Sequence, residues 1–211
     1  MFYYCSNLSN FSSDLSSLVY GNSMFANCKQ LQDFRLFYNG LSSLVSGTNM
    51  FQCCKNLTSW NIDLSSLTNG ECMFYETSLA SFNVDLPSLT NGSSMFGYCN
   101  NLTSFNSNLS SLTDGQNMFQ NTGGLTSFNS DLSSLIDGKF MFDSCSPTIF
   151  KSDLSSLIDG RCMFRNCTNL TSFCSDLSSL MSADDMFNYC QLASQSVMYI
   201  IHSIKDIAAE K

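Results

Sequence analysis

The chain is poor in charge and almost without histidine. Only 12% of its 211 residues are Asp, Glu, Lys or Arg, about half the proportion usual in soluble domains. Ser, Thr and Asn supply the polarity instead, so the surface can make contacts without large desolvation costs. Lys and Arg total nine against 17 acidic residues, for a net charge of −8. The basic residues are scattered, and no footprint exists that would displace counterions from nucleic-acid phosphates or hold an anionic membrane surface. No apolar run approaches the roughly 18 residues of a membrane span. The first residues have neither the basic region nor the apolar core of a signal peptide. A single histidine, His202, and the lack of any Cys-x-x-Cys pair argue against a zinc site, which needs four convergent N or S ligands. There is no Gly-x-Ser-x-Gly elbow, no base to activate one of the many serines, and no Gly-rich phosphate loop. Catalysis has no foothold, and no cofactor or metal is expected.

What the chain does have is one phrase repeated. Met-Phe occurs at residues 1, 24, 50, 73, 95, 118, 141, 163 and 186, with steps of 23, 26, 23, 22, 23, 23, 22 and 23. Between them runs Met-Phe-x-x-Cys-x-x-Leu-Thr-Ser-Phe-Asn-x-Asp-Leu-Ser-Ser-Leu-x-x-Gly. A fixed period of this length means stacked supersecondary units, none able to bury its apolar face alone. The segment around Phe105 alternates like a short half-buried strand. Its aromatic recurs as Phe11, Phe34, Trp60, Phe82, Phe105, Phe128, Phe150 and Phe173. One parallel strand per turn stacks these rings into a ladder inside the coil. The Leu pairs (Leu15 and Leu18, Leu64 and Leu67) form a second inward edge. The Gly column is explained by a positive φ or by a lack of room for Cβ; Ala183 alone breaks it. Met-Phe-x-x-Cys reads as a short helical or 3₁₀ turn on the far side. Residues 1–192 are expected to form about nine such turns. Residues 193–211 are expected to form an amphipathic helix, with Ser196 as its N-cap, closing the last open core. Because Met1-Phe2-Tyr3-Tyr4-Cys5 starts in phase without a cap, the chain is expected to be a piece of a longer protein. End-to-end contact through that first turn is a further expectation.

Phe-x-x-Cys-x-x-Leu-x-x-Phe, followed by a Leu pair and a Gly, resembles the BspA-type leucine-rich repeats of bacterial surface proteins. The Met-Phe version is also similar to the Met-Phe repeats of bacterial surface lipoproteins. The resemblance spans residues 1 to about 192. Met stands where that family usually has Ala, aromatics where it has Ile or Leu, Thr77 and Thr122 replace the Cys, and Pro147 displaces a core Leu. The resemblance implies a right-handed solenoid with its parallel sheet on the concave side. It also implies an adhesive or recognition role at a cell surface, in a secreted protein or on a virion.

The repeat absorbs most residues that would otherwise hint at chemistry. Cys5, Cys28, Cys54, Cys99, Cys145, Cys167 and Cys190 form one column; parallel Cβ vectors suit bridging poorly, and these thiols read as small buried hydrophobes. Asp14, Asp63, Asp85, Asp131, Asp153 and Asp176 precede Leu-Ser-Ser-Leu, where each carboxylate can accept from the Ser backbone N–H groups that follow. Individuality is left to the outward positions and to breaks in the pattern. Asn61, Asn83, Asn106 and Asn129 form a polar strip beside the strand aromatics. The 26-residue step inserts three residues around Arg35-Leu36-Phe37-Tyr38-Asn39, and Arg and aromatic side chains are typical interface anchors. Lys151, in place of the usual Asn, and Phe140 are lesser departures. These features predict a non-enzymatic binding or adhesion module of a microbial or phage surface protein, with Arg35, Phe37, Tyr38, the four Asn residues and Lys151 meeting a protein or glycan. The alternative is a purely structural spacer within a larger surface protein.

Overall fold

A computed structural model describes residues 1–36 and 40–209. It is a repeat solenoid with one short strand per turn: β1 (Asn10–Ser13), β2 (Asp33–Leu36), β3 (Ser59–Trp60), β4 (Ser81–Phe82), β5 (Ser104–Phe105), β6 (Ser127–Phe128), β7 (Ile149–Phe150) and β8 (Ser172–Phe173). Helix α1 (Ser194–Ala209) follows the last turn. All pairings are parallel and in repeat register, with Phe11 opposite Phe34, Trp60 opposite Phe82, Phe105 opposite Phe128 and Phe150 opposite Phe173. The strands pair two by two, β1 with β2, β3 with β4, β5 with β6 and β7 with β8. Continuity comes from another column, where single bridges run unbroken from Tyr20 through Ser46, Asn69, Asn91, Asp114, Asp137 and Asp159 to Ser182.

Two ladders of rings fill the core. The Phe residues of Met-Phe stack from Phe2 to Phe187 with centroids 5.3–5.7 Å apart and planes within 10°. The strand aromatics form the second stack, and each of its rings meets the first ladder edge-on, as between Phe96 and Phe105 at 5.2 Å and 61°. Offset and edge contacts of this kind are worth about 0.5–1.5 kcal/mol per pair beyond burial. The Leu pairs from Leu41 and Leu44 to Leu154 and Leu157 close the core beside them at zero exposure, while Leu15 and Leu18 of the first turn are partly buried.

The Gly column is decided by space. Among the described glycines only Gly40 has a left-handed φ, +65°. At Gly21, Gly47 and Gly70, a Cβ would lie 2.7, 2.9 and 2.8 Å from the sulfur of the Met in the next turn. Each Gly is thus the floor of a slot that receives the following Met. Ala183 sits on the last turn, where no further Met arrives, and its methyl group is exposed.

Left-handed backbone appears elsewhere, at two non-Gly columns flanking Met-Phe: Ser23 and Asn27, Asn49 and Cys53, Ser94 and Tyr98, with φ between 54° and 63°. The far-side turns are closed by i→i+3 bonds, Met24 N–H to Gly21 O at 3.0 Å and Cys28 N–H to Phe25 O at 3.1 Å, and the left-handed third residue of each makes them type II β-turns. A left-handed residue inside each turn stops it from propagating as a helix. It also rotates alternate peptide groups to face the next turn. Gly21, Ser23, Phe25 and Asn27 donate to Ser46, Thr48, Met50 and Gln52 at 2.8–2.9 Å, and the same four rungs recur down the coil.

Polar columns follow the same logic. Cys28, Cys54, Cys99, Cys145, Cys167 and Cys190 each direct Sγ to the Phe carbonyl of an earlier turn at 3.0–3.2 Å. Thr122 makes the equivalent bond to Phe96 O at 2.8 Å, and Thr77 instead donates to Phe74 O at 2.9 Å. The acidic column accepts from the residue two positions on: Ser16, Ser65, Ser133, Ser155 and Ser178 donate N–H at 2.8–2.9 Å. Asp85 cannot do so because Pro87 has no N–H, and it accepts from Asn108 N–H of the next turn at 2.8 Å.

Helix α1 meets the last turn differently from expectation. Ser196 is not its N-cap. It lies inside the helix, buried, with its hydroxyl accepting from Phe173 N–H at 3.0 Å, so it stands in for the missing ninth strand. Ile200 and Leu192 pack on the core, while Val197, Ile201 and Ile204 remain about 40% exposed. The helix covers the strand side of the end turn through few residues. Among the described residues, no helix is long and apolar enough to cross a membrane.

Candidate functional site

The repeat register gathers most of the expected site residues into one outward column. Ser12 is opposite Arg35, and the position after each strand aromatic continues as Asn61, Asn83, Asn106, Asn129, Lys151 and Cys174. The four Asn residues and Lys151 are all exposed. Asn129 Nδ2 donates to Asn106 Oδ1 at 3.1 Å and to Ser127 Oγ at 3.2 Å, the start of an amide ladder. Phe37, Tyr38 and Asn39 lie outside the described residues.

Two grooves open along this column, each at an interruption of the strand pairing. Where strands pair, the residue after the aromatic donates to the previous turn: Asn83 to Trp60 O, Asn129 to Phe105 O and Cys174 to Phe150 O, at 3.0–3.1 Å. No equivalent bond joins Asn106 to Phe82 or Lys151 to Phe128. Between β4 and β5 lies a groove of about 330 Å³ lined by Ser81, Asn83, Asp85, Ser104, Asn106 and Ser107. Between β6 and β7 lies another of about 370 Å³ lined by Asn129, Ser130, Asp131, Lys151, Ser152 and Asp153. Both coincide with a proline. Pro87 redirects Asp85 across the first gap, and Pro147, without an N–H, precedes the second. There Ser146 donates to Leu125 O at 3.1 Å, and Thr148 makes no rung to Thr126. Ser130 beside the second groove is buried, and its hydroxyl has no partner.

The opposite flank holds a set of charges that no column reading anticipated. Arg165 grips the buried Asp143 through Nε at 3.2 Å and Nη2 at 2.8 Å, and Asn166 Nδ2 adds a third bond at 3.2 Å. The Arg165 guanidinium lies 5.0 Å from the centre of the Phe140 ring. Lys139 bridges Asp137 and Asp159 at 2.9 and 3.7 Å, and Arg161 pairs with Asp159 at 2.8 Å. Phe140 holds a left-handed φ of 55°, in a column otherwise filled by small or polar residues. The available signal was the column two residues after Met, where Asp143 and Arg165 fall on adjacent turns with opposite charge.

Thiol chemistry is suppressed in the core. Burial pushes Cys54 up to about 12 and Cys99 and Cys190 up to about 11, and it raises Cys145 and Cys167 further in the same direction. Cys5 and Cys174 are exposed. Among the described residues no group of three His, Cys, Asp or Glu side chains is placed to hold a metal ion.

With this geometry in view, the family profile described as BspA type Leucine rich repeat region matches the chain in six copies, over residues 1–126, 46–148 and 92–210. A comparison with curated proteins gives no match.

Proposed function

The chain belongs to the BspA-type leucine-rich repeat family, and we propose that it is a non-enzymatic binding or adhesion module of a microbial or phage surface protein. Repeats of this kind form a scaffold, and fold alone does not name a ligand. The observation that carries the reading is the outward column from Asn61 to Lys151, which is polar throughout and opens into two grooves where strand rungs are missing. Backbone and amide groups left free there can hydrogen-bond a partner without first breaking a sheet. In the sequence, residues 35–39 add Arg and aromatic residues of the kind that anchor interfaces.

The test is attachment of the labelled protein to an array carrying both glycans and extracellular proteins. Replacing Asn83, Asn106, Asn129 and Lys151 together with Ala is expected to abolish attachment, and Phe37→Ala with Tyr38→Ala to weaken it. The melting temperature should stay within about 2 °C, since exposed positions contribute little to stability. A pure spacer would show no attachment to lose.

A further inference from the structure

We propose that the two strand-face grooves together seat one extended, uncharged β-linked polysaccharide lying along the solenoid axis. This rests on the strand column being the binding face, and it names the partner's chemistry. Spacing supports such a chain. The grooves are two turns apart, which at strand spacing of about 4.8 Å per turn is about 10 Å. In an extended β-linked chain alternate rings face the same way, so equivalent hydroxyls recur once per disaccharide, at a comparable interval. A peptide strand rises about 3.3 Å per residue and repeats its side-chain face about every 6.6 Å, which falls out of step with the grooves.

Lining chemistry supports it as well. Each groove offers side-chain amides, hydroxyls and at least one carboxylate: Asn83, Asn106, Ser104 and Asp85 in the first, and Asn129, Ser152, Asp131 and Asp153, with Lys151 as the one cation, in the second. Oδ1 of Asp131 and of Asp153 is taken by a local Ser N–H, leaving the second oxygen to accept from a sugar hydroxyl. Neither groove exposes an aromatic anchor, because Phe82 and Phe128 are buried. That lining suits hydroxyl-rich rings better than the aromatic and Arg anchors of a protein hot spot. Carboxylates outnumber the single Lys151 across the two grooves, and with a net charge of −8 they disfavour an anionic polysaccharide. The partnerless Ser130 hydroxyl beside the second groove is one more polar group left unused by the fold.

Calorimetry with β-1,4-linked glucose and N-acetylglucosamine oligomers of increasing length tests this. Oligomers long enough to reach both grooves should bind about 100-fold more tightly than the disaccharide, through effective concentration. Asn106→Ala and Asn129→Ala should each remove that gain and return long oligomers to disaccharide-like affinity. Absence of binding by every oligomer, affinity independent of length, or indifference to both substitutions would overturn the polysaccharide inference. If array proteins bind instead and the fourfold Ala variant loses them, the strand face stands as a binding face and only its glycan partner is wrong. If nothing on the array binds, both readings fall.

Discussion

Substituting Gly70 by Ala tests whether the Gly–Met slot holds successive turns in register. The added Cβ would lie 2.8 Å from Met95 Sδ, 3.2 Å from its Cε and 3.3 Å from Leu67 Cδ2. Met95 and Leu67 are fully buried, so the sulfur cannot swing into solvent, and overpacking of this kind costs about 1–3 kcal/mol. In a Met95→Ala background, itself costing about 2–5 kcal/mol, the slot is vacant. There the same Gly70→Ala change should stabilise by about 0.4–1 kcal/mol, because the backbone is not left-handed and the unfolded chain loses freedom. The two backgrounds therefore differ in sign, with a coupling of about 1.5 kcal/mol or more. Urea unfolding followed by far-UV dichroism and by the fluorescence of the buried Trp60 measures it. Additivity within about 0.5 kcal/mol, or a neutral Gly70→Ala in the native background, would refute the slot.

Three further outcomes follow from particular bonds. Ser196→Ala should cost about 1–3 kcal/mol in urea unfolding, because it leaves Phe173 N–H buried without its acceptor. Ser175→Ala should raise the urea midpoint, by up to about 1 kcal/mol in stability, since the buried Ser175 hydroxyl has no partner; an unchanged or lower midpoint would show that the hydroxyl is satisfied in solution. Native protein at pH 8 should label rapidly with a disulfide reagent at Cys5 and Cys174. Cys54, Cys99, Cys145 and Cys167 should label only after unfolding, as burial raises their thiols well above that pH; mass spectrometry of labelled peptides distinguishes the two groups.

The core was legible because it is periodic. Two aromatic columns, the Leu pairs and the Cys column could be assigned from spacing alone, since each must meet its own copy one turn away. The Gly column was legible only as a pair of alternatives. Choosing between them needs the position of a methionine in the next turn, about 25 residues away. Ser196 misled for a similar reason: a serine near a helix start satisfies the local N-cap pattern, but the orphaned N–H it serves belongs to a strand 23 residues earlier. Asn61, Asn83, Asn106, Asn129 and Lys151 share one exposed column, which the repeat spacing makes legible, but the grooves beside it are not. They depend on which single backbone rungs fail to form, and that is not a periodic property of the sequence. The Asp143–Arg165 pair was hidden because each residue alone looks like ordinary drift in a variable column.

The four inter-turn rungs beside Met-Phe have an electrical consequence. Every such peptide group points its C=O toward the first turn and its N–H toward the last, so their dipoles add along the coil as they do in an α-helix. That flank behaves like four helix macrodipoles laid side by side, although it contains no helix. Its positive pole is the last Met-Phe turn, where the N–H groups of Ala183, Asp185, Phe187 and Tyr189 find no backbone acceptor among the described residues. The exposed carboxylates of Asp184 and Asp185 stand at that pole, placing negative charge where summed amide dipoles most favour it.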